Sequence, residues 1–376
     1  MRLRTKAAVA ATTMLGTGAA ALAVGRVGSG AALRPRRTDG PPGFEHAPLT
    51  VHDVGVDRIT LTRTLDTLLP GTYGLLGADC HAAVGEVLSD GAGTADTVAR
   101  RLVRITRGDL RAGTRVRMTP QIHSRDPGRA LAIPYADGAI PGELGPLPAW
   151  FVHGDRDTWV ITVHGLGTTR EHPMNVLPLL YRLQAPVLNL AYRGDEGAPR
   201  SPDGVGHLGA TEWRDVDAAV RYALRYGAER VVLHGWSTGA TMALHTAVHS
   251  PLRRHVCGLV LDSPVLDWRA TVRALAAGRV PSFALPLVER AVEGRAGLDH
   301  AHLTEVVDPR RLEIPVLLLH SKDDRVSPFG ASRRFAERRE ELVTLYAGHH
   351  AAHAALWNAD RPRYEEALRR FLTPLV

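Results

Sequence analysis

The sequence predicts an α/β protein: a mostly parallel, doubly wound sheet with a helical cap insertion, preceded by a β-rich N-terminal region. Three observations carry this. From Trp150 onward, nearly continuous apolar runs alternate with helix-compatible segments; the runs are Trp159 to Val163, Pro186 to Leu190, Val231 to Leu233, Gly258 to Leu261 and Pro315 to Leu319. Runs without polar alternation suit strands buried on both faces, and strands alternating with helices build a parallel sheet. Upstream, short alternating segments punctuated by Gly and Pro read as strands joined by turns.

Taken in order, residues 1–37 hold seven basic residues and no acid, which accounts for the whole formal net charge of +7. The remainder is neutral, so a nucleic-acid footprint on the globular body is not expected. Arg2, Arg4 and Lys6 precede an uncharged, Ala-rich stretch from Ala7 to Val24, and Ala21-Leu22-Ala23 offers a small-x-small cleavage pattern. This predicts a signal peptide or N-terminal membrane anchor over residues 1–37, any membrane attachment running through residues 7–24, hence an exported or envelope-anchored protein rather than a cytoplasmic one. Residues 38–48, with Gly40-Pro41-Pro42-Gly43 as a breaker, read as a linker. Residues 49–148 form the expected β-rich region, with strand-like runs at Arg58 to Thr62, Thr114 to Met118 and Ala130 to Ile133.

Residues 149–376 form the expected α/β domain. Within it, Glu212 to Tyr226 has the pattern of an amphipathic helix, with Thr211 placed to cap it and Gly227 to end it. The interval of about 267–308 is helix-like, is broken by Pro281 and Pro286, and fits a cap over the strand ends. Its Leu275, Val280, Phe283, Leu285 and Leu287 suit either an apolar substrate or the cap's own core. With 376 residues and 44% hydrophobic content, the chain can build a large core without disulfides; Cys80 and Cys257 fit no ligand spacing.

The chemistry is concentrated at Gly235-Trp236-Ser237-Thr238-Gly239, a G-x-S-x-G pattern with an apolar strand before it and a helix-compatible run after it. That context places Ser237 on a tight turn at a strand end, beside a helix N-terminus. A serine hydroxyl needs a base, a group that orients the base, and donors for the oxyanion. The strand Pro315 to Leu319 runs into a turn with Asp323 and Asp324; the register of His320 selects Asp324. After the next run, Leu342 to Tyr346, come His349, His350 and His353 as candidate bases. The oxyanion donors would be the Thr238 amide, after the serine, and the Leu166 amide in the His164-Gly165 turn. His164 itself reads as a turn residue.

Two decoys are set aside. Gly204-Val205-Gly206-His207-Leu208-Gly209 matches G-x-G-x-x-G, but a polar loop separates it from the preceding strand, so no dinucleotide cofactor is expected. His350-x-x-His353 lacks the glutamate of H-E-x-x-H, so no metal is expected.

From about Ala149 to Leu372 the chain resembles the α/β-hydrolase superfamily, near its serine aminopeptidase-like branch. The resemblance rests on His164-Gly165-Leu166-Gly167-Thr168-Thr169-Arg170, Tyr192 to Pro199, His207 to Trp213, the Ser237 turn, and His353 to Asn358 with Tyr364. It implies an α/β-hydrolase fold and selects His353 as the base, with His350 as the alternative. The branch's usual G-W-S-M-G-G departs here to Thr238 and Ala240, and the resemblance stops short of residues 49–148. It implies a serine hydrolase acting on a small acyl substrate: a carboxylic ester first, then a thioester or peptide. An acyltransferase with the same residues and a non-catalytic anchored binding protein are the competing classes.

Overall fold

The computed structural model describes residues 28–30, 33, 40–44, 47–89, 94–297 and 308–376. Of the expected targeting segment 1–37, only residues 28–30 and 33 are among them, and the attachment stretch 7–24 lies outside. Among the described residues no helix is long and apolar enough to cross a membrane.

The β-rich region closes into a six-stranded barrel. Its strands are β1 (Leu49–Val54), β2 (Arg58–Thr62), β3 (Tyr73–Gly77), β4 (His81–Val87), β5 (Thr97–Arg107) and β6 (Arg115–Thr119), in the order β1-β2-β5-β4-β3-β6 with antiparallel pairing throughout. Alternation dictates which side chains go inside: Ile59 and Leu61 of β2 are buried while their neighbours are not. They pack with Val51, Tyr73, Leu75, Val84 and Met118. One cation is buried near this core. The Arg100 guanidinium donates to the carbonyls of Gly85, Thr67, Leu69 and Gly71 at 2.8–3.0 Å. Burial pushes it down to about 10, and those four acceptors replace the lost water.

The second body is an eight-stranded sheet, ordered β14-β13-β12-β11-β9-β10-β8-β7. It comprises β7 (Ala136–Gly142), β8 (Gly145–Val152), β9 (Thr158–Val163), β10 (Val187–Leu190), β11 (Arg230–Trp236), β12 (Val256–Asp262), β13 (Val316–Ser321) and β14 (Val343–Gly348). Strands β9 to β14 run parallel; the β7–β8 hairpin joins antiparallel through β8. Both faces are covered, as the continuous apolar runs require. On β11, Val231 and Leu233 pack with the helices Trp213–Arg225 and Thr238–His249. Val232 and Trp236 pack on the opposite face with the helices Leu177–Arg182 and Arg361–Leu372. The helices Trp268–Ala276 and Leu285–Ala296 form the cap, with a small core of their own. Residues 298–307 of the expected cap lie outside the described residues.

Four local expectations are corrected. The domain boundary placed at 148/149 falls inside β8, because the sheet already begins at Ala136. Ala130 to Ile133 is not a strand: Asp126 caps a short helix, Pro127–Leu131, by accepting from the Arg129 amide, and Pro127 stands in its first turn. Thr211 does not cap the helix Trp213–Arg225; instead the buried Glu212 carboxylate accepts the amides of His207 and Gly209. Finally, residues 40–44 are not a solvated linker, since Gly40, Pro41, Pro42 and Phe44 are buried.

Candidate active site

The turn after β11 forces Ser237 into a backbone conformation that non-glycine residues rarely adopt, φ 52° and ψ −119°. The glycines on either side are required by close approach. A Cβ on Gly235 would lie 2.4 Å from the Gly239 carbonyl, and one on Gly239 would lie 2.2 Å from the Val163 carbonyl. The serine amide donates to the Asp262 carbonyl at 2.8 Å, tying the turn to β12.

Three side chains from three strand ends meet here. Ser237 Oγ lies 2.7 Å from His353 Nε2. His353 Nδ1 lies 2.7 Å from Asp324 Oδ2. All three are nearly sealed from water: Ser237 is 3% exposed, and the His353 and Asp324 side chains are 2% and 0% exposed. Burial would raise the Asp324 carboxyl. His353 and His320 beside it overrule burial and hold it well below the usual carboxylate range. His320 Nε2 contacts Asp324 Oδ2 at 3.1 Å. The amides of Val326 and Ser327 donate to Oδ1 at 2.8 and 2.9 Å. Asp324 is thus an anion whose oxygens are fully engaged and whose position is fixed.

The neighbouring candidates are elsewhere. Asp323 is exposed and accepts the His350 amide at 2.7 Å. His350 is exposed, has φ 57°, and its ring is not among the partners of Ser237 or Asp324. His164 is buried, contacts Asp195 at 2.7 Å through Nε2, and stacks on Tyr192; it braces the turn that carries Leu166.

Leu166 and Thr238 flank the serine. A Cβ on Gly165 would lie 2.7 Å from Ser237 Cβ, so this turn and the serine turn are in direct contact. Thr238 opens the helix Thr238–His249, whose first amides have no partner within the helix. A cleft of about 990 Å³ reaches both residues and is lined further by Tyr192, Leu208, Met242 and Leu33. None of the five apolar cap residues singled out in the sequence lines it. Leu275 is buried in the cap core, while Phe283 and Leu287 are exposed.

Sequence reasoning missed a second buried layer. Asp262, at the end of β12, accepts from Ser263 Oγ at 2.8 Å and from the Tyr364 hydroxyl at 3.0 Å. Ser263 Oγ also accepts the Ala354 amide, the residue after His353, at 3.2 Å. Ser263 and Ala354 both have positive φ, 48° and 54°. Burial raises the Asp262 carboxyl to about 6. Beneath Trp236, burial with His164 and His353 nearby pushes His172 down to about 3, so it stays neutral at physiological pH. The signal available in the sequence was a carboxylate and serine directly ending an apolar strand. Among the described residues no cluster of His, Cys, Asp and Glu could hold a metal ion.

Comparison with known proteins fits this architecture. A model of the prolyl oligopeptidase family matches residues 187–373, just under half the chain. A domain of unknown function (DUF8805) matches residues 50–119, the span of the barrel. An uncharacterized protein of Bacillus subtilis, YqkD, is 28% identical over 144 residues, 37% of this chain. The chain spans about half the length of that relative, 47%. Among solved structures, the esterase Pf2001 of Pyrococcus furiosus superposes with a TM-score of 0.55 at 21% identity, covering 67% of this chain and 94% of that one. The ferulic-acid-bound Est1E of Butyrivibrio proteoclasticus superposes with a TM-score of 0.51 at 18% identity, covering 63% and 98%. The sheet order, the strained serine turn and these similarities define the fold as that of the α/β-hydrolases.

Proposed function

We propose that this chain is a serine hydrolase that cleaves a carboxylic ester through an acyl-enzyme. The observation that carries the reading is the unbroken line Ser237–His353–Asp324, with both contacts at 2.7 Å. His353 Nε2 takes the Ser237 proton as Oγ attacks the carbonyl carbon. Asp324 stabilises the imidazolium and holds the tautomer that leaves Nε2 free to accept. The oxyanion is received by the Leu166 and Thr238 amides. His353 then gives its proton to the departing alkoxide, leaving Ser237 acylated. Water attacks the acyl-enzyme with His353 as base, and the acid leaves with Ser237 restored.

The esterases among the structural neighbours support an ester as the first substrate class. The cleft is large enough for a small acyl compound and carries Tyr192, Leu208 and Met242 along its wall. The test is an acyl chain-length series of esters against wild type, His353→Ala and His350→Ala. Loss of His353 should lower kcat by about a thousandfold or more, with His350→Ala near wild type. Equal activity in wild type and His353→Ala would overturn the assignment of the base.

A further inference from the structure

The Gly40-Pro41-Pro42-Gly43 segment packs on the reacting centre. On one side it meets Gly167, next to Leu166. A Cβ on Gly167 would lie 3.0 Å from Pro42 Cδ, 3.2 Å from Pro41 Cα and 3.3 Å from the Gly40 carbonyl. On the other side it meets the histidine loop. A Cβ on Gly43 would lie 2.6 Å from His353 Cβ and 2.9 Å from the His353 amide nitrogen. The segment therefore spans from the oxyanion turn to the base.

Its composition suits a fixed, buried piece of chain. Gly40 and Gly43 have φ of 75° and 91°, which favours glycine at both ends. Pro41 and Pro42 lie between them and are buried. A buried backbone N–H without a partner is costly, and proline has none. The Phe44 amide donates to the Pro41 carbonyl at 3.4 Å, closing a turn with Pro and Gly at its central positions. Phe44 then anchors the segment in the barrel core, edge-on to Tyr73 at 6.0 Å.

Leu33 lies on the cleft itself, on the cap side. It is buried against Val205, Leu208 and Val288, and it lines the cleft. Its carbonyl accepts the Gly206 amide at 2.9 Å.

We propose that Leu33 is the cap-side wall of the acyl site and that Gly40-Pro41-Pro42-Gly43 backs the opposite end of it, behind Gly167 and His353, so that together they determine specificity. They admit slender, unbranched acyl groups along the cleft that ends at Leu166 and Thr238, and they exclude groups that are bulky beside the carbonyl. This rests on the reading of Ser237 as the nucleophile, and the experiment separates the two.

Two serine-reactive fluorophosphonates, one with a short linear chain and one branched next to phosphorus, are reacted with the full chain. Labelling rates are followed by intact mass for wild type, Pro41→Gly/Pro42→Gly, Leu33→Ala and Leu33→Trp, with folding checked by thermal melting. The branched-to-linear rate ratio should rise about tenfold in the double glycine variant and in Leu33→Ala, and fall in Leu33→Trp. A ratio that stays within about twofold of wild type across folded variants overturns the walls and leaves Ser237 standing. Wild type that reacts with neither probe overturns the nucleophile, and the walls with it. Should the double glycine variant fail to fold, Pro42→Gly alone tests the segment, and the opposed Leu33 pair tests Leu33.

Discussion

The barrel and the eight-stranded sheet are both well-packed β structures, yet they stand in different relations to the site. Every group in the Ser237–His353–Asp324 line comes from a strand end or following loop of the sheet. The barrel places none of its own side chains in that line. It meets the site through backbone, through Ala352 and Ala355 of the histidine loop packed in its core, and through Asn358, whose side chain donates to the Thr72 and Pro120 carbonyls at 2.8 and 2.9 Å. The Asn358 carbonyl in turn accepts the Thr72 amide at 3.0 Å. Arg100, bonded to the carbonyls of Thr67, Leu69 and Gly71, stiffens the loop that makes this contact. The comparison teaches a division of labour: the sheet supplies reactive groups, and the barrel with the segment leading into it supplies shape and support.

The sharpest way to break that division is to disturb the site from the barrel side. Gly43→Ala places a methyl against His353 at a residue with φ 91°. It should lower kcat by about 10- to 100-fold, since small misplacement of a catalytic group is costly. Gly113→Ala is the matched control: φ is 85°, but nothing lies within 4 Å of its Cβ position. It carries the same kind of backbone strain, about 1–2 kcal/mol for a non-glycine residue at left-handed φ, and should lower Tm while leaving kcat alone. Equal kcat losses in both would mean that strain, not contact with His353, is responsible.

A smaller effect is expected at the latch. Asn358→Ala leaves the Thr72 and Pro120 carbonyls without this donor and should cost about 1–3 kcal/mol in denaturant unfolding. If barrel and sheet unfold separately in the variant but together in wild type, the latch couples them. Unchanged unfolding would remove it from the account.

The smallest effect concerns pH and the two buried carboxylates. Burial holds Asp262 at about 6, above the ordinary value near 3.9. Between these values the folded chain keeps a proton that the unfolded chain has released, so this contribution to stability is full below the ordinary value and is lost as pH rises through about 6. Asp324, held low, has the opposite sign: its contribution is present above the ordinary value and is lost as pH falls. Asp262→Asn should flatten the dependence of Tm on pH between about 4 and about 6. A slope identical to wild type would show that Asp262 does not titrate there.

The two bodies were also unequally readable from sequence. Strands buried on both faces write themselves as apolar runs, so β9 to β14 were visible. The Ser237 turn is local, with its strand, glycines and helix contiguous. Asp324 and His353 are distant in the chain; the register of His320 in a local turn picks out Asp324, whereas only the resemblance selects His353 as the base. The β7–β8 hairpin carries Pro141 on β7, a sheet edge where proline is tolerated, and Pro146 and Pro148 on the part of β8 that precedes its pairing with β10. Alternation exposed strand-like runs in the barrel but carries no information about closure. Gly40-Pro41-Pro42-Gly43 was legible as a turn, but its docking on His353 is a long-range contact that composition does not encode. Ala130 to Ile133 misled because a short apolar run is ambiguous; the Asp126-Pro127 start signal was the better guide.

The most direct test of the account is to find which residue a fluorophosphonate modifies. Peptide mapping of the labelled chain should place the adduct on Ser237. Labelling should vanish in Ser237→Ala, slow by orders of magnitude in His353→Ala, and persist in His350→Ala. An adduct on another residue, or undiminished labelling of Ser237→Ala, would contradict the central claim.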